Sequence, residues 1–378
     1  MKYFLLAGEA SGDLHGSNLV RELKKTDPEA EIVCWGGDLM EQEGAQVLMH
    51  YRELAFMGAL EVLRNLGKIR LNLKKCRSDI LSFKPDLVIL IDYPGFNLRI
   101  AKFLKGKLDR VYYFISPKIW AWKKSRIKKI KAYISRMYVI FPFEKEFYRQ
   151  LGYEVKYFGN PLVDTVTARL AAAPPEKDFL SENGLDKKPL VALLAGSRVQ
   201  EIKHMLPEMI KLTEYYLDYQ FVIAGVRSVP AGLYTKICGD SGIKVIYDST
   251  YDLLRYCSAA IVTSGTATLE TAIAGVPQVV CYKTSWLTYT LAKAFIRVRF
   301  ISLVNLIMDR EVVKELIQDS MKAQHIASEL NTILPGGWKR DVIKKDYHDL
   351  SHILEGKDAA RRVVTDMYNS LILVRNVN

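Results

Sequence analysis

Short apolar runs that alternate with amphipathic segments constrain the fold of this 378-residue chain more than any other feature. The runs have the length of buried parallel strands, and the segments between them have helical periodicity. A first series of runs covers residues 3–7, 31–35, 87–91, 110–115 and 137–140. After a linker of small residues and prolines at 171–176, a second series covers residues 190–194, 220–224, 244–247, 259–262 and 278–282. The pattern predicts an α/β protein with two Rossmann-like, doubly wound parallel-sheet domains that face a cleft.

The chain is too long for one ordinary core, so we expect two domains followed by terminal helices. We expect the first domain at 1–170, the second at 171–340, and the helices at 341–378, where they pack back on the first domain or on a partner subunit. The five cysteines are odd in number and form no C-x-x-C pair, which argues against disulfides and zinc and fits a reducing cytoplasm. We expect no signal peptide and no spanning helix, because the first apolar run stops at Glu9 and the longest uncharged stretch has 14 residues.

Two strand–turn–helix motifs in the second half of the chain have the character of phosphate-binding turns. Each joins an apolar strand to a helix through small residues, so that free N–H groups at the helix start point toward an anion. A cation lies at the lip of the first turn, and an acid one helical turn beyond the second is placed to reach a sugar diol. The candidate residues are Gly196, Ser197, Arg198, Ser264, Gly265, Thr266, Ala267, Thr268 and Glu270. Two such turns predict a nucleotide diphosphate site.

Two carboxylates follow strands of the first domain. Glu9 lies in the turn Gly8–Asp13, which lacks the third glycine of the dinucleotide fingerprint. That turn can also be purely structural, with Asp13 as the cap of its own helix. Asp92 ends a buried strand, a position that can raise a carboxyl pKa toward the range of a general base. The alternative role for Asp92 is to cap the helix that begins near Phe96.

Positive charge is concentrated in one segment. The net charge of the chain is +12, and residues 99–136 hold thirteen Lys and Arg against one acid, Asp109. The segment includes a mixture of indoles and cations at Trp120, Trp122, Lys123 and Lys124. Bases of a nucleic acid stack on such residues, and lipid headgroups attract the same combination. The segment therefore predicts an anionic partner, either nucleic acid or a lipid surface.

A second apolar and basic stretch favours the lipid surface. Val62, Leu66, Ile69 and Leu73 recur at helical spacing and have cations beside them. The alternative is that this stripe packs into the core of the first domain.

The sequence contains no motif for a metal site, a hydrolase or a kinase. Its six histidines form no H-E-x-x-H motif, and no D-x-D pair occurs. A G-x-S-x-G elbow and a P-loop are also missing. We expect a site that works without a metal or a cofactor.

With these residues in view, the chain resembles the lipid-A-disaccharide synthase family, bacterial glycosyltransferases of family 19 with the two-domain GT-B fold. The shared motifs occur in order over essentially the whole chain. They are Ala7–Asp13, Glu53–Gly58, Ser116-Pro117 with Trp120–Trp122, Phe141–Glu144, Gly196–Arg198, Ser264–Glu270 and Ser302–Leu306. The resemblance implies an inverting enzyme that moves 2,3-diacylglucosamine from UDP to the 6′-hydroxyl of 2,3-diacylglucosamine 1-phosphate. The products are a β-1,6-linked lipid disaccharide and UDP.

The reaction that the resemblance implies lets us assign roles to the candidate residues. Asp92 takes the proton of the acceptor hydroxyl, with Glu9 as the alternative base. The donor site then consists of Arg198, the N–H groups after Ser264, Glu270, Asn305 and Arg310. The chain departs from the family pattern at Gly95, where many members have a second acid, and at Ala195, where many have proline.

The partners implied are the two lipid substrates and an anionic membrane surface, with no nucleic acid. The resemblance implies a peripheral protein on the cytoplasmic face of the inner membrane, and leaves a homodimer open. Two rival functions remain: another UDP-sugar GT-B enzyme, such as an epimerase, and a nucleic-acid-binding protein that uses the basic segment.

Overall fold

The computed structural model describes residues 1–54, 66–121, 124–285, 289 and 299–375. It divides into two compact units, one formed by Met1–Pro161 with Lys357–Asn378 and the other by Leu162–Gly356. Each unit is an α/β structure with a parallel sheet, so the predicted fold class is confirmed. Among the described residues no helix combines the length and the apolar character needed to cross a bilayer.

The first unit has a seven-stranded sheet in the order β3-β2-β1-β4-β5-β6-β7. Its strands are β1 (Lys2–Ala7), β2 (Glu31–Gly36), β3 (Gln46–His50), β4 (Leu87–Ile91), β5 (Val111–Phe114), β6 (Arg136–Val139) and β7 (Lys156–Tyr157). Its helices are α1 (Ala10–Thr26), α2 (Asp38–Gln42), α3 (Leu66–Phe83), α4 (Pro94–Leu104), α5 (Ile127–Tyr133) and α6 (Pro142–Gln150), with a last helix from the end of the chain. Successive residues of β1 enter the cores on opposite faces of the sheet, as the period of two requires.

The second unit has a six-stranded sheet in the order β10-β9-β8-β11-β12-β13. Its strands are β8 (Leu190–Leu194), β9 (Gln220–Gly225), β10 (Lys244–Tyr247), β11 (Cys257–Thr263), β12 (Gln278–Tyr282) and β13 (Lys314–Ile317). The helices after the unit boundary are α7 (Pro161–Ala171), α8 (Glu176–Glu182), α9 (Val199–Ile210), α10 (Ala231–Cys238), α11 (Thr250–Tyr256), α12 (Thr266–Ile273), α13 (Leu303–Met308), α14 (Ala323–Ile333) and α15 (Arg340–Ile353). All described strand pairs in both sheets are parallel.

The C-terminal segment is divided between the two units. α15 packs against α12 and α13 of the second unit. The last helix, α16 (Ala359–Arg375), packs against α1 and places Val363, Val364 and Met367 in the core of the first unit. The break between the two helices contains Glu355 and Asp358, both at positive φ.

The apolar stripe expected to face a membrane lies instead against the core where it is described. Leu73 is 7% exposed within the first-unit core, and Ile69 is partly buried against the same cluster. The membrane assignment of these two residues is therefore wrong, because the face of α3 that carries them covers the sheet. Val62 and the side chain of Leu66 lie outside the described residues. On the opposite face of α3, Leu71 is 67% exposed.

Leu73 and Leu71 form a matched pair for testing this orientation of α3. Leu73→Ala should reduce the free energy of unfolding by about 2–5 kcal/mol, because it leaves a cavity in the core. Leu71→Ala should change it by less than about 0.5 kcal/mol, since its side chain is mostly in solvent. Urea unfolding followed by circular dichroism measures both values. Equal losses for the two variants would contradict the orientation.

Candidate functional site

Glu9 and Asp92 follow two neighbouring strands at the point where the first sheet reverses its strand order. β1 pairs with β4, with Ala7 opposite Ile91, so the residues after these strands share one edge. In doubly wound sheets, ligands bind at such a switch point, beyond the carboxyl ends of the strands. The side chain of Glu9 is exposed and that of Asp92 is partly buried.

Asp92 has a constrained backbone. Asp92 and Tyr93 have φ values of 41° and 46°, in the left-handed region that non-glycine residues rarely adopt. Two buried side chains hold this turn, since Asn97 Nδ2 donates to the Asp92 carbonyl at 2.7 Å and the Tyr113 hydroxyl donates to the same oxygen. Backbone strain of this kind, maintained by the surrounding structure, is concentrated at functional sites. The expected alternative, a helix cap, does not apply, because Tyr93 occupies the N-cap position of α4.

The surroundings of Asp92 suit a general base. Burial raises the pKa of its carboxyl group to about 6, and the negative charge of Glu9 acts in the same direction. The positive charges of Lys118 and Arg126 oppose that rise. A carboxyl group with this pKa is mostly ionised at neutral pH and is still basic enough to accept a proton.

Asp13 has a structural role that differs from the expected one. Its buried carboxylate accepts hydrogen bonds from the N–H groups of Gly37, Leu39 and Met40 at 2.8, 3.1 and 3.2 Å. Asp13 therefore caps α2, and not its own helix α1. The short turn after β2 provides the donors that a sequence pattern does not reveal.

The two candidate phosphate turns meet at the switch point of the second sheet. β8 pairs with β11, with Leu194 opposite Val262, and each strand ends in one of the turns. Gly196 has a φ of 109°, and a Cβ there would lie 2.6 Å from Glu201 Oε2. That oxygen accepts from the N–H groups of Ser197 and Arg198 at 3.0 and 3.3 Å. Glu201 thus shapes the first turn.

Arg198 extends from this turn into solvent. Its side chain is 64% exposed, and one guanidinium nitrogen donates to Glu201 Oε1 at 3.2 Å. Sequence reasoning missed Glu201, although its position three residues after Arg198 is the spacing of a helix capping box. The expected cation at the lip of the turn is therefore where the sequence suggested, anchored by a neighbouring acid.

The second turn leaves helix-start N–H groups available. Within the described part of the chain, the N–H groups of Gly265, Thr266 and Ala267 have no acceptor. Ser264 Oγ instead donates to the Ile301 carbonyl at 2.7 Å, and Thr268 Oγ1 donates to the Gly265 carbonyl at 2.8 Å. These bonds fix the turn at the start of α12 while its free donors suit an anion.

Glu270 lies one turn into α12. Its Oε1 accepts a hydrogen bond from the Tyr251 hydroxyl at 2.8 Å. Burial raises the pKa of Glu270, and the bond from Tyr251 opposes that rise. The second carboxylate oxygen has the chemistry to accept from a sugar hydroxyl.

Asn305 and Arg310 have structural partners and do not fit the expected donor contacts. The buried Asn305 amide donates to the Val313 carbonyl at 2.8 Å and to Glu315 at 2.9 Å, and its oxygen accepts from the N–H groups of Val312 and Val313. Arg310 forms a two-point ion pair with Asp346 on α15, at 2.8 Å for each contact. Asn305 thus connects α13 to β13, and Arg310 connects the segment after α13 to α15.

The tryptophan-rich segment is only partly described. Trp120 is half-buried and packs edge-on against Phe143, with ring centroids 5.2 Å apart. Trp122 and Lys123 lie outside the described residues, and Lys124 is exposed. Among the described residues no cluster of three or more His, Cys, Asp or Glu side chains is suited to a metal ion.

The two parallel sheets, each with its candidate residues at the switch point, are the architecture of the two-domain GT-B fold. Solved structures of this architecture cover nearly the whole chain. UDP-GlcNAc 2-epimerase from Neisseria meningitidis, bound to UDP-GlcNAc, has a TM-score of 0.65 at 12% identity, over 98% of this chain and 100% of that one. Sucrose-phosphate synthase from Thermosynechococcus elongatus has a TM-score of 0.61 at 11% identity, over 99% and 100%. At these identities the likeness concerns the fold alone.

The chain belongs to the lipid-A-disaccharide synthetase family, whose pattern matches residues 3–364. Lipid-A-disaccharide synthase from Geobacter sulfurreducens is 40% identical over 340 residues, which is 88% of each chain. The protein of the same name from Coxiella burnetii is 38% identical over 371 residues, which is 97% of each. The expected family and the expected class of enzyme, a transferase, are confirmed.

Proposed function

We propose that this protein transfers 2,3-diacylglucosamine from UDP to the 6′-hydroxyl of 2,3-diacylglucosamine 1-phosphate. The acceptor oxygen attacks the anomeric carbon, the bond to the UDP oxygen breaks, and the hydroxyl proton passes to a base. One in-line displacement converts the α-linked donor into a β-linked product. The observation that carries the proposal is the pair of phosphate-suited turns at one switch point, in a chain of this family.

The donor is held by the second unit in this proposal. Arg198 and the free N–H groups of Gly265, Thr266 and Ala267 bind the diphosphate, and the dipole of α12 adds to their effect. These groups stabilise the negative charge that develops on the leaving UDP. Glu270 accepts hydrogen bonds from the ribose hydroxyls.

Proton removal belongs to the first unit. Asp92 is the proposed base, because a pKa of about 6 leaves its carboxyl group ionised at neutral pH and still basic enough to accept a proton. Glu9, at the same switch point, is the alternative. At the Gly95 position an added Cβ would meet no atom of the described residues within 4 Å, so an acid of the kind that the family pattern implies there would fit.

The reaction is tested with the purified protein, UDP-2,3-diacylglucosamine and 2,3-diacylglucosamine 1-phosphate. We expect a disaccharide 1-phosphate by mass spectrometry and one UDP released for each product. A parallel incubation with UDP-GlcNAc alone tests the epimerase alternative, and no epimer should form. Epimer formation without disaccharide would overturn the proposal.

Gly265 provides a test of the diphosphate position. Its φ of 162° is extended backbone, and a Cβ there would meet no atom of the described residues within 4 Å. Gly265→Ala should therefore fold with an unchanged Tm. UDP affinity should fall at least about tenfold if a phosphate lies against this backbone, because the methyl group would occupy its space. Isothermal titration with UDP measures the loss, and unchanged affinity would argue against this position.

We further propose that the first unit binds an anionic lipid surface on the cytoplasmic face of the inner membrane, since both substrates carry acyl chains. The docking surface is the outer face of the adjoining helices α3, α4 and α5. Its exposed residues include Leu71 and the cations Lys68, Arg70, Lys74, Lys102, Lys128 and Lys129. Each cation near an anionic leaflet contributes about 1 kcal/mol, and salt screens that attraction.

Leu71→Ser tests this surface, with Leu217→Ser as its control. Leu217 is 76% exposed in the second unit. Both variants replace an exposed leucine by serine, so they differ only in the position of the change. Leu71→Ser should weaken sedimentation with phosphatidylglycerol vesicles several-fold, and Leu217→Ser should not. Wild-type binding should decline with added salt. If the protein does not bind these vesicles at low salt but retards duplex DNA in a gel-shift assay, the nucleic-acid alternative is favoured.

A further inference from the structure

A loop of the first unit is held at the edge that carries Asp92. β5 pairs directly with β4, and the Asp92 N–H donates to the Phe114 carbonyl at 3.0 Å. The loop 115–121, which follows β5, therefore lies beside the turn that follows β4. Ile115 begins this loop with a φ of 65°.

One buried carboxylate fastens the loop at two points. Ser116 Oγ donates to Glu144 Oε1, and Trp120 Nε1 donates to the same oxygen at 3.2 Å. The other oxygen accepts from the Phe141 N–H at 3.0 Å, which anchors the carboxylate at the start of α6. Tyr148, also on α6, donates to the Pro117 carbonyl at 3.3 Å.

Glu144 is costly to bury and has no part in the proposed reaction. It is 2% exposed, and burial raises its pKa to about 7 against the effect of its hydrogen bonds. A buried carboxylate that fastens a loop at a sheet edge fixes the position of what that loop carries. The loop carries Lys118, which lies in sequence between the two residues bound to Glu144 and has an exposed side chain.

We propose that Glu144 is a positioning residue that fixes the 116–120 loop, so that the Lys118 ammonium stays beside the Asp92 carboxylate. Lys118 in turn keeps Asp92 ionised for proton removal. This inference rests on the proposed function for the importance of that ionisation, although the electrostatic effect of Lys118 on Asp92 does not depend on it.

Several other groups act on Asp92, and the test must separate them from Lys118. Glu9 opposes ionisation, whereas Arg126 and a hydrogen bond from the Tyr93 backbone favour it. The Tyr113 hydroxyl donates to the backbone carbonyl of Asp92. Lys118 makes the largest favourable contribution to the Asp92 pKa.

The test is a ¹³C NMR titration of the full chain labelled at aspartate Cγ, with the Asp92 signal assigned by its loss in Asp92→Asn. Lys118→Met should raise the Asp92 pKa by about half a unit or more, and Lys118→Arg should restore it. Lys145→Met, which removes an exposed cation from α6, should leave it unchanged. Glu144→Ala should also raise the Asp92 pKa. In the double variant Glu144→Ala, Lys118→Met, the Asp92 pKa should equal that of Lys118→Met alone. If Glu144→Ala does not fold, the double variant Ser116→Ala, Trp120→Phe removes the same two hydrogen bonds.

An unchanged Asp92 titration in Lys118→Met would overturn the proposal. Additive effects of Glu144→Ala and Lys118→Met would also overturn it, because Glu144 would then not act through Lys118. The pH dependence of kcat/KM is measured on the same variants. If its acidic limb does not follow the Asp92 titration, the base assignment fails, while the titration still decides the role of the loop.

Discussion

Asp92→Asn should lower kcat by about 10²- to 10⁴-fold, the usual contribution of a general base. Asparagine has the same shape and tolerates the left-handed backbone at this position, so the fold should survive. The asparagine amide cannot take the proton from the 6′-hydroxyl of the acceptor sugar. Initial rates of disaccharide formation measure the loss, with the Tm as the control for folding. If Asp92→Asn remains active and Glu9→Gln is inactive, the two assignments must be exchanged.

The pH dependence of the wild-type enzyme follows from the same assignment. The raised pKa of Asp92, about 6, means that the base is ionised above that pH and protonated below it. kcat/KM should therefore be level near neutral pH and fall about tenfold for each unit below pH 6. In Asp92→Asn the residual activity should lack this limb.

Arg198→Ala should reduce kcat/KM by about 10- to 100-fold. The change removes a charge-assisted contact to the donor diphosphate, typically about 1.5–3 kcal/mol. Stability should hardly change, because the side chain is 64% exposed and its pair with Glu201 is a surface contact. Steady-state kinetics and thermal melting measure the two quantities. Arg198→Lys should recover only part of the activity, since a single ammonium replaces a two-pronged donor.

Added EDTA gives a second test of the arginine assignment. With the diphosphate held by Arg198 and helix-start N–H groups, chelation should leave the wild-type rate unchanged. Loss of turnover in EDTA, restored by a divalent cation, would contradict this account of the leaving group.

Much of the fold could be predicted from the sequence, because the central strands of parallel sheets are continuous apolar runs. β4, β8, β10 and β12 begin and end at the predicted residues. The strands that the pattern missed, β3, β7 and β13, lie at the ends of their sheets. An end strand has a neighbouring strand on one side only, and these three mix polar with apolar residues, so they give no clear run. The fourth end strand, β10, was predicted from its sequence.

The candidate site was predictable where a residue follows a strand and unpredictable where it depends on packing. The positions of Asp92 and Arg198 follow from strand ends alone. The partners that hold them, Asn97 and Glu201, required the structure, although Glu201 had a spacing signal. The stripe on α3 illustrates the other limit, because helical spacing does not distinguish a face that packs on a sheet from one that faces a membrane.

The division of labour between the two units is the central claim, and UDP titration of two variants tests it most directly. Isothermal titration of Asp92→Asn should give the wild-type UDP affinity, whereas Arg198→Ala should bind UDP at least about tenfold more weakly. Both variants should have reduced turnover. If Asp92→Asn loses UDP binding and Arg198→Ala retains it, the donor is not held by the turns of the second unit and the account is contradicted.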